Sequence, residues 1–348
     1  MTADEFRSQI LQILFQDLHR IESDNYAPER FSMDGVDRSG TFDVGKHALF
    51  LTWFIENYES VFTAFMRLSD DASRNLFVDV IRYRLAGHLH VRIRTHVHQL
   101  AVAALQFQQA FQATPSAIPT SGMFGGLVHI EGTWNGITYE VDTLKDSLKY
   151  LLLYRQYFFA RDGVRIQPEP GDHVIDGGAF TGDSACVFSK AVGPSGRVYS
   201  FDPVQNHMDI IKTNIGRPGY ENVTLFGYGL SDRSVEAPPI RLGEYQPGWR
   251  VDDSLVPLFR IDDLVIDRRI EHIDFIKMDI EGSEMAALRG AVSSICRFKP
   301  KLAISVYHKP NDLFEVANFI HDLNLGYRLY FDHYTIWDEE SVLYASVA

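Results

Sequence analysis

Residues 172–183 read DHVIDGGAFTGD, and residues 197–203 read RVYSFDP. Val174-Ile175-Asp176 has the character of a strand end, Gly177 to Gly182 of a tight turn, and Asp183-Ser184 of a helix start. In an open α/β sheet, ligands bind at the carboxyl ends of the strands. Glycines there let backbone and ligand approach closely. On the turn alone, the glycines need do no more than join a strand to a helix. A dinucleotide site favours G-x-G-x-x-G for a pyrophosphate. Here Gly178 and Gly182 frame the turn, and Asp176 and Asp183 bracket it. Two carboxylates repel a pyrophosphate but suit a ligand with a cationic amine and a sulfonium, such as S-adenosylmethionine. The next apolar run ends in Asp202-Pro203, one strand–helix unit later, where an acid hydrogen-bonds a ribose diol. The two features together point to a nucleoside cofactor.

Outward from this turn, short apolar runs alternate with helical stretches: HVIDGG, VYSFDP, VTLFGYGL, IDFIKMDI, KLAISVYH, YRLYF and SVLYASV. That alternation predicts an α/β fold with a Rossmann-like, doubly wound, mainly parallel sheet. The connection Asp332 to Glu340 is too short for a helical crossover and predicts an antiparallel terminal hairpin. Residues 1–113 read as a helical N-terminal region. Its first helix carries Ile10, Leu11, Leu14, Phe15, Leu18 and Ile21, and a loop follows from Ser32 to Gly45. Further helices are expected over about Lys46 to Arg67, after the cap signal Ser69-Asp70-Asp71, and from about Val91 to Phe111. Residues 114–160 read as a Pro/Gly linker (Thr114 to Gly126), a hairpin turning at Asn135-Gly136, and a helix from about Thr143 to Phe159. Residues 161–348 form the third expected domain.

The chain has 33 Lys+Arg against 46 Asp+Glu, a formal net charge of −13, which argues against nucleic acid as a partner. Cys186 and Cys296 are too few for a disulfide framework or a cysteine-built zinc site. The amphipathic N-terminus lacks the basic start and apolar core of a signal peptide, and no run is long enough to span a membrane. The expectation is a cytoplasmic protein.

The third domain resembles the FkbM-type S-adenosylmethionine-dependent methyltransferases over about residues 172–347. The resemblance rests on VIDGGAFTGD, VYSFDP, GLSD at Gly229 to Asp232, RIDDL at Arg260 to Leu264, IDFIKMDIEGSEMAALRGA at Ile273 to Ala291, ISVYHKPNDL at Ile304 to Leu313, and DHYTIWDEESVLYA. The first two are generic to the wider methyltransferase class, whereas the IKMDIEG block and the closing pattern are family-specific. The family usually has Glu where Asp202 stands and Val or Ile where Gly177 stands. The resemblance implies O-methylation of a hydroxyl on a sugar, glycan or natural product, with a small-molecule or saccharide acceptor as partner. In that reading Asp202, followed by Pro203, holds the ribose. The loop from Asp176 through Gly178, Ala179, Phe180, Thr181 and Gly182 to Asp183 cradles the methionine part. Leu230, Ser231 and Asp232 meet the adenine, and Asp279 also borders the cofactor. The helical half and the Trp134 hairpin shape the acceptor site or make a homodimer contact.

If the strand from Ile273 stays regular to Glu281, then Lys277, Asp279 and Glu281 share one face. Charges on a central parallel strand need a reason. Lys277 suits an internal ion pair with Asp279 or Asp176, and Asp279 and Glu281 suit chemistry. A hydroxyl acceptor needs its proton removed. His308, ending the next strand, is the first candidate base and Asp279 its rival. Alternatively Asp279, Glu281 and His308 could ligate Mg²⁺ or Mn²⁺. The metal-free version is the one expected. His333 and Tyr334 suit either substrate contact or packing. His88-x-His90 and His96-x-His98 would each share a face on strands, but the segment reads as helix, where i and i+2 point apart. They fit an interaction surface or a polar helix face, and the aromatic stretch Phe50 to Phe65 fits a core or a subunit contact. The rival functions are a nicotinamide-dependent oxidoreductase, disfavoured by the carboxylates, and a non-catalytic carbohydrate-binding or scaffold protein.

Overall fold

The structure, a computed structural model, describes residues 1–14, 44–119, 126–237 and 256–347. Most of the expected Ser32–Gly45 loop, the Phe15–Ile21 part of the first helix and the Gly122 and Gly125 linker positions lie outside the described residues. The chain forms two compact units: residues 1–99 with 305–346, and residues 100–304.

The first unit opens with α1 (Ala3–Leu11), where Thr2 Oγ1 accepts the Glu5 N–H at 3.2 Å and the Glu5 carboxylate accepts the Thr2 N–H at 2.7 Å. Helix α2 (Val44–Arg67) follows, then α3 (Asp71–Ala86), capped by Asp70, which accepts the Ser73 N–H at 2.6 Å. The aromatic stretch of α2 is core: Phe54 is fully buried, and the Phe6 ring lies 4.9 Å from Phe65. Gly87, at φ +73°, ends α3. The following residues differ from the expected helix. His88 to His90 form a turn, residues 91–95 are irregular, and only His96–Gln99 make a short 3₁₀ turn. Arg94 leaves helical geometry to make a two-bond contact with Asp79, Nε to Oδ2 at 2.7 Å and Nη2 to Oδ1 at 2.8 Å.

The second unit begins with α4 (Ala101–Ala110) and an antiparallel sheet in the order β1 (Phe111–Pro115), β2 (Leu127–Trp134), β3 (Ile137–Leu144). Asn135 and Gly136 both have positive φ, as the tight turn requires. The helix expected over Thr143 to Phe159 is absent. Its place is taken by the end of β3, a single π-turn at Lys149–Leu153, and an irregular strap in which Arg155 and Tyr157 have φ of +62° and +70°. Leu148, Leu151, Leu153, Tyr157 and Phe159 are all buried. A short hairpin, β4 (Phe159–Arg161) with β5 (Val164–Ile166), follows.

The alternating part comprises β6 (His173–Gly177), α5 (Asp183–Val192), β7 (Arg197–Phe201), α6 (Gln205–Ile215), β8 (Val223–Phe226), the two-residue strands β9 (Gly229–Leu230) and β10 (Leu258–Phe259), α7 (Ile261–Ile266), β11 (Phe275–Met278), α8 (Glu284–Arg289), α9 (Val292–Phe298) and β12 (Lys301–Ser305). The parallel strands run in the order β12-β11-β6-β7-β8. Val174, Ile175, Phe275, Ile276 and Met278 are completely buried, because helices cover both faces. From β6 the chain winds one way to β7 and β8, then crosses to β11 and β12. The strand order therefore reverses between β6 and β11, the kind of switch point at whose carboxyl-end crevice open α/β sheets take their ligands.

The chain then returns to the first unit with α10 (Asp312–Asp322) and the neighbouring strands β13 (Tyr327–His333) and β14 (Ser341–Val347). Trp53 Nε1 donates to Asn311 Oδ1 at 2.7 Å, tying α2 to the start of α10. No described helix is long and apolar enough to cross a membrane.

Candidate active site

The crevice between β6 and β11 is built on a buried ion pair. Lys277 and Asp176 face each other in register, with Nζ 3.2 Å from Oδ1 and both side chains almost fully enclosed. Lys277 also donates to the carbonyls of Gly177 and Gly178 at 3.0 and 2.8 Å. Ser184 and Ser200 hydroxyls donate to the same Asp176 carboxylate. Asp176 thus holds the strand ends together, and of the two partners expected for Lys277 it is the one found.

The loop after β6 is shaped by close contact. Gly178 has φ +78°, and a Cβ there would sit 1.8 Å from the Asp279 carbonyl oxygen. Its N–H and that of Ala179 both donate to Phe201 O, at 3.0 and 3.1 Å. Phe180, at φ +50°, donates its N–H to Asp202 Oδ2 at 3.0 Å and lays its ring against His207, 5.0 Å away. Gly182, at φ +85°, turns the chain into α5.

Asp202 lies at the carboxyl end of β7 and is 4% exposed. Besides Phe180 it accepts the Val204 N–H at 2.9 Å, and His207 Nδ1 lies 3.1 Å from both oxygens. It is therefore the joint between the β6 loop and α6. Asp183 is buried at the start of α5, accepting the Ser184 N–H at 2.8 Å and the Thr143 hydroxyl at 3.0 Å. Burial pushes its carboxyl above the ordinary range, against the lowering effect of these hydrogen bonds and of Lys277. Thr143 Oγ1 also lies 2.8 Å from Thr181 Oγ1. Leu230, the last residue of β9, and Ser231 are buried, and Asp232 is exposed. A Cβ on Gly290 would meet Ser231 O at 1.9 Å, so the α8–α9 junction presses directly on this turn.

Strand β11 stops at Met278, so Lys277, Asp279 and Glu281 do not share a face as expected. Asp279 is half-buried in the turn that follows. Glu281 is exposed at φ +54°, turned by the tight Asp279–Ser283 connection. Asp279 Oδ2 accepts the Tyr157 hydroxyl at 2.8 Å, and a carboxylate oxygen of buried Glu284 lies within 4.8 Å of Asp279's. Glu284 Oε1 accepts the Ile280 N–H at 2.8 Å. Tyr157, Gln156, Thr143 and His207 were not among the expected site residues. Nothing in the sequence singles out Tyr157, since its segment carries an ordinary helical composition.

His308 lies in the first unit, half-buried, with its ring 4.1 Å from that of Tyr307. In the same unit His333 is fully buried, its Nδ1 2.8 Å from Ser341 Oγ and its Nε2 2.7 Å from Trp337 O. Tyr334 OH lies 2.7 Å from Tyr344 OH. Both side chains are buried and hydrogen-bonded within this unit.

The crevice suits a cationic nucleoside better than a dinucleotide. Its carboxylates are Asp202 and Asp279. Its lysine, Lys277, is fully committed to Asp176 and two carbonyls, leaving no ammonium for a phosphate. Comparison with known proteins agrees. Residues 176–329 match the family model "Methyltransferase FkbM domain". The solved structure of a methyltransferase FkbM from Methylobacillus flagellatus is similar over 99% of this chain and 77% of that one, with a TM-score of 0.55 and 19% identity, a likeness of fold. Curated relatives include two named protein-L-isoaspartate O-methyltransferases. That of Methanopyrus kandleri is 24% identical over 151 residues, covering 42% of this chain and 65% of the relative. That of Aeropyrum pernix is 31% identical over 79 residues, covering 22% and 30%. The chain thus spans less than two thirds of the length of these relatives. Residues 176–329 are thus similar to the FkbM methyltransferase domain, and S-adenosylmethionine is the cofactor whose chemistry this crevice fits.

Proposed function

We propose that the protein transfers a methyl group from S-adenosylmethionine to a hydroxyl of a sugar, glycan or natural-product acceptor. The cofactor supplies an electrophilic methyl on a sulfonium. Asp202 holds the ribose hydroxyls, the 178–182 loop holds the methionine part, and the Leu230–Asp232 turn lies against the base. Asp279 takes the proton from the acceptor hydroxyl as its oxygen forms the new bond. The observation that carries this reading is Asp279 itself, a half-buried carboxylate at the carboxyl end of β11, fixed by Tyr157 at 2.8 Å. His308 remains the alternative base on sequence grounds, and the proposed reaction needs no metal. The free thiols of Cys186 and Cys296 support a cytoplasmic setting.

A carboxylate acceptor is the second reading, suggested by the names of the curated relatives. Asp279 with Glu284 nearby disfavours it, because two carboxylates repel a third. The test is a screen of nucleotide sugars, oligosaccharides and polyketides with methyl-labelled S-adenosylmethionine. Base-stable label on a hydroxyl, undiminished in EDTA, supports the proposal. Base-labile label marks an ester and the second reading. Asp279→Asn and His308→Ala are then compared in single turnover, where loss of the true base slows transfer about 10²–10⁴-fold.

A further inference from the structure

Tyr157 is a bulky residue held where bulky residues rarely sit. Its φ is +70°, that of Arg155 two positions earlier is +62°, and only 3% of Tyr157 is exposed. Backbone of this kind persists only where surrounding contacts hold it in place, and it concentrates at functional sites. The contacts here converge on one atom. The Tyr157 hydroxyl donates to Asp279 Oδ2 at 2.8 Å and accepts from Gln156 Nε2 at 3.1 Å. A phenol has one proton, so a donor arriving from Gln156 turns that proton toward Asp279. The Lys277 ammonium stands 5.3 Å from the Tyr157 ring centroid, and the ring packs edge-on against Phe188 at 6.3 Å. The ring is therefore fixed from its face, its edge and its hydroxyl.

We propose that Tyr157 is a positioning residue: it fixes the plane of the Asp279 carboxylate and keeps that carboxylate ionised to receive the acceptor proton. The role rests on the methyltransferase reading above. A base acts only when its lone pair points along the proton's path, and half-buried carboxylates otherwise rotate among several partners. A hydrogen bond donated to a carboxylate also favours its ionised form. Lys277 acts in the same direction as Tyr157 but is spent on Asp176.

The variant that tests this is Tyr157→Phe, which keeps the ring, its packing and the Lys277 contact and deletes only the hydroxyl. The readout is the titration of Asp279, followed by carboxyl ¹³C NMR on aspartate-labelled full-length protein and assigned with Asp279→Asn. The expected result is an upward move of the Asp279 midpoint by roughly one pH unit or more. S-adenosylmethionine affinity by calorimetry should stay within about twofold, since uniform loss of a contact to the cofactor is not what the variant removes. With an acceptor in hand, the acidic limb of the kcat/KM profile should move by the same amount. A folded Tyr157→Phe protein that binds the cofactor but leaves the Asp279 midpoint in place overturns the proposal alone. Wild-type protein that binds no S-adenosylmethionine instead contradicts the methyltransferase reading, and the role given to Tyr157 falls with it. Should Tyr157→Phe fail to fold, Gln156→Leu removes the donor that orients the phenol, and the same midpoint is expected to rise by a smaller amount. An unmoved midpoint in that variant counts against the proposal equally.

Discussion

Lys277 and Asp176 set the terms for every other group in the crevice. Each is buried beside the other, so removing one leaves a charge in a poorly solvated interior. Lys277→Met should cost about 3–5 kcal/mol in chemical unfolding, and the double variant Lys277→Met, Asp176→Leu should recover much of that loss. Additive losses in the double variant would contradict the pairing. Asp183 offers a pH test. Burial raises its carboxyl above the ordinary value of 3.8. Between that value and the raised one, the native state keeps a proton that the unfolded chain has released, so stability falls as pH rises through the window. Asp183→Asn should flatten this decline above about pH 4, read as denaturant midpoint against pH. A steeper decline would place a stabilising charge there instead. At this scale the sequence announced its acids by their positions after strands, and Asp202 sits where the pattern put it. It offered Lys277 two partners, Asp279 or Asp176, and strand register decides for Asp176. It did not announce the Tyr157–Asp279 bond, which joins residues 122 positions apart.

The turn after β6 is where backbone geometry does most to define the site. Gly178→Ala would push a methyl group into the Asp279 carbonyl at φ +78°. The expected cost exceeds about 1 kcal/mol in stability, with loss of cofactor binding, because the β6 and β11 turns must separate to admit it. Gly163, whose added Cβ meets nothing within 4 Å at φ +81°, is the control for strain without collision. Equal effects at both positions would show that the contact with Asp279 O is unimportant. Strands β6, β7, β11 and β12 were legible because buried parallel strands are short apolar runs bounded by turn residues. The strap at 154–158 was not. Arg155 and Gln156 carry adequate helix propensity there, and the burial of Tyr157 and Phe159 goes with an irregular backbone instead. Strand β11 was read too long for a related reason. Alternation continues on paper through Glu281, whereas Gly282, at φ +89°, and Glu281 force a turn.

For the molecule as a whole, the reversal of strand order between β6 and β11 explains why the Gly178 loop, Asp202 and Asp279 belong to one crevice. In the proposed function this crevice holds S-adenosylmethionine, with Asp202 as the ribose anchor. Because Asp202 also accepts the Phe180 and Val204 N–H groups, its removal should loosen the loop as well as the cofactor. The direct measurement is calorimetric titration of the full chain with S-adenosylmethionine and, separately, with NADH, in wild type and in Asp202→Asn. The expected result is binding of S-adenosylmethionine alone, weakened by roughly 10- to 100-fold in a folded Asp202→Asn protein, as loss of hydrogen bonds to a charged group implies. Binding of NADH in preference, or an S-adenosylmethionine affinity that Asp202→Asn leaves unchanged, would contradict it.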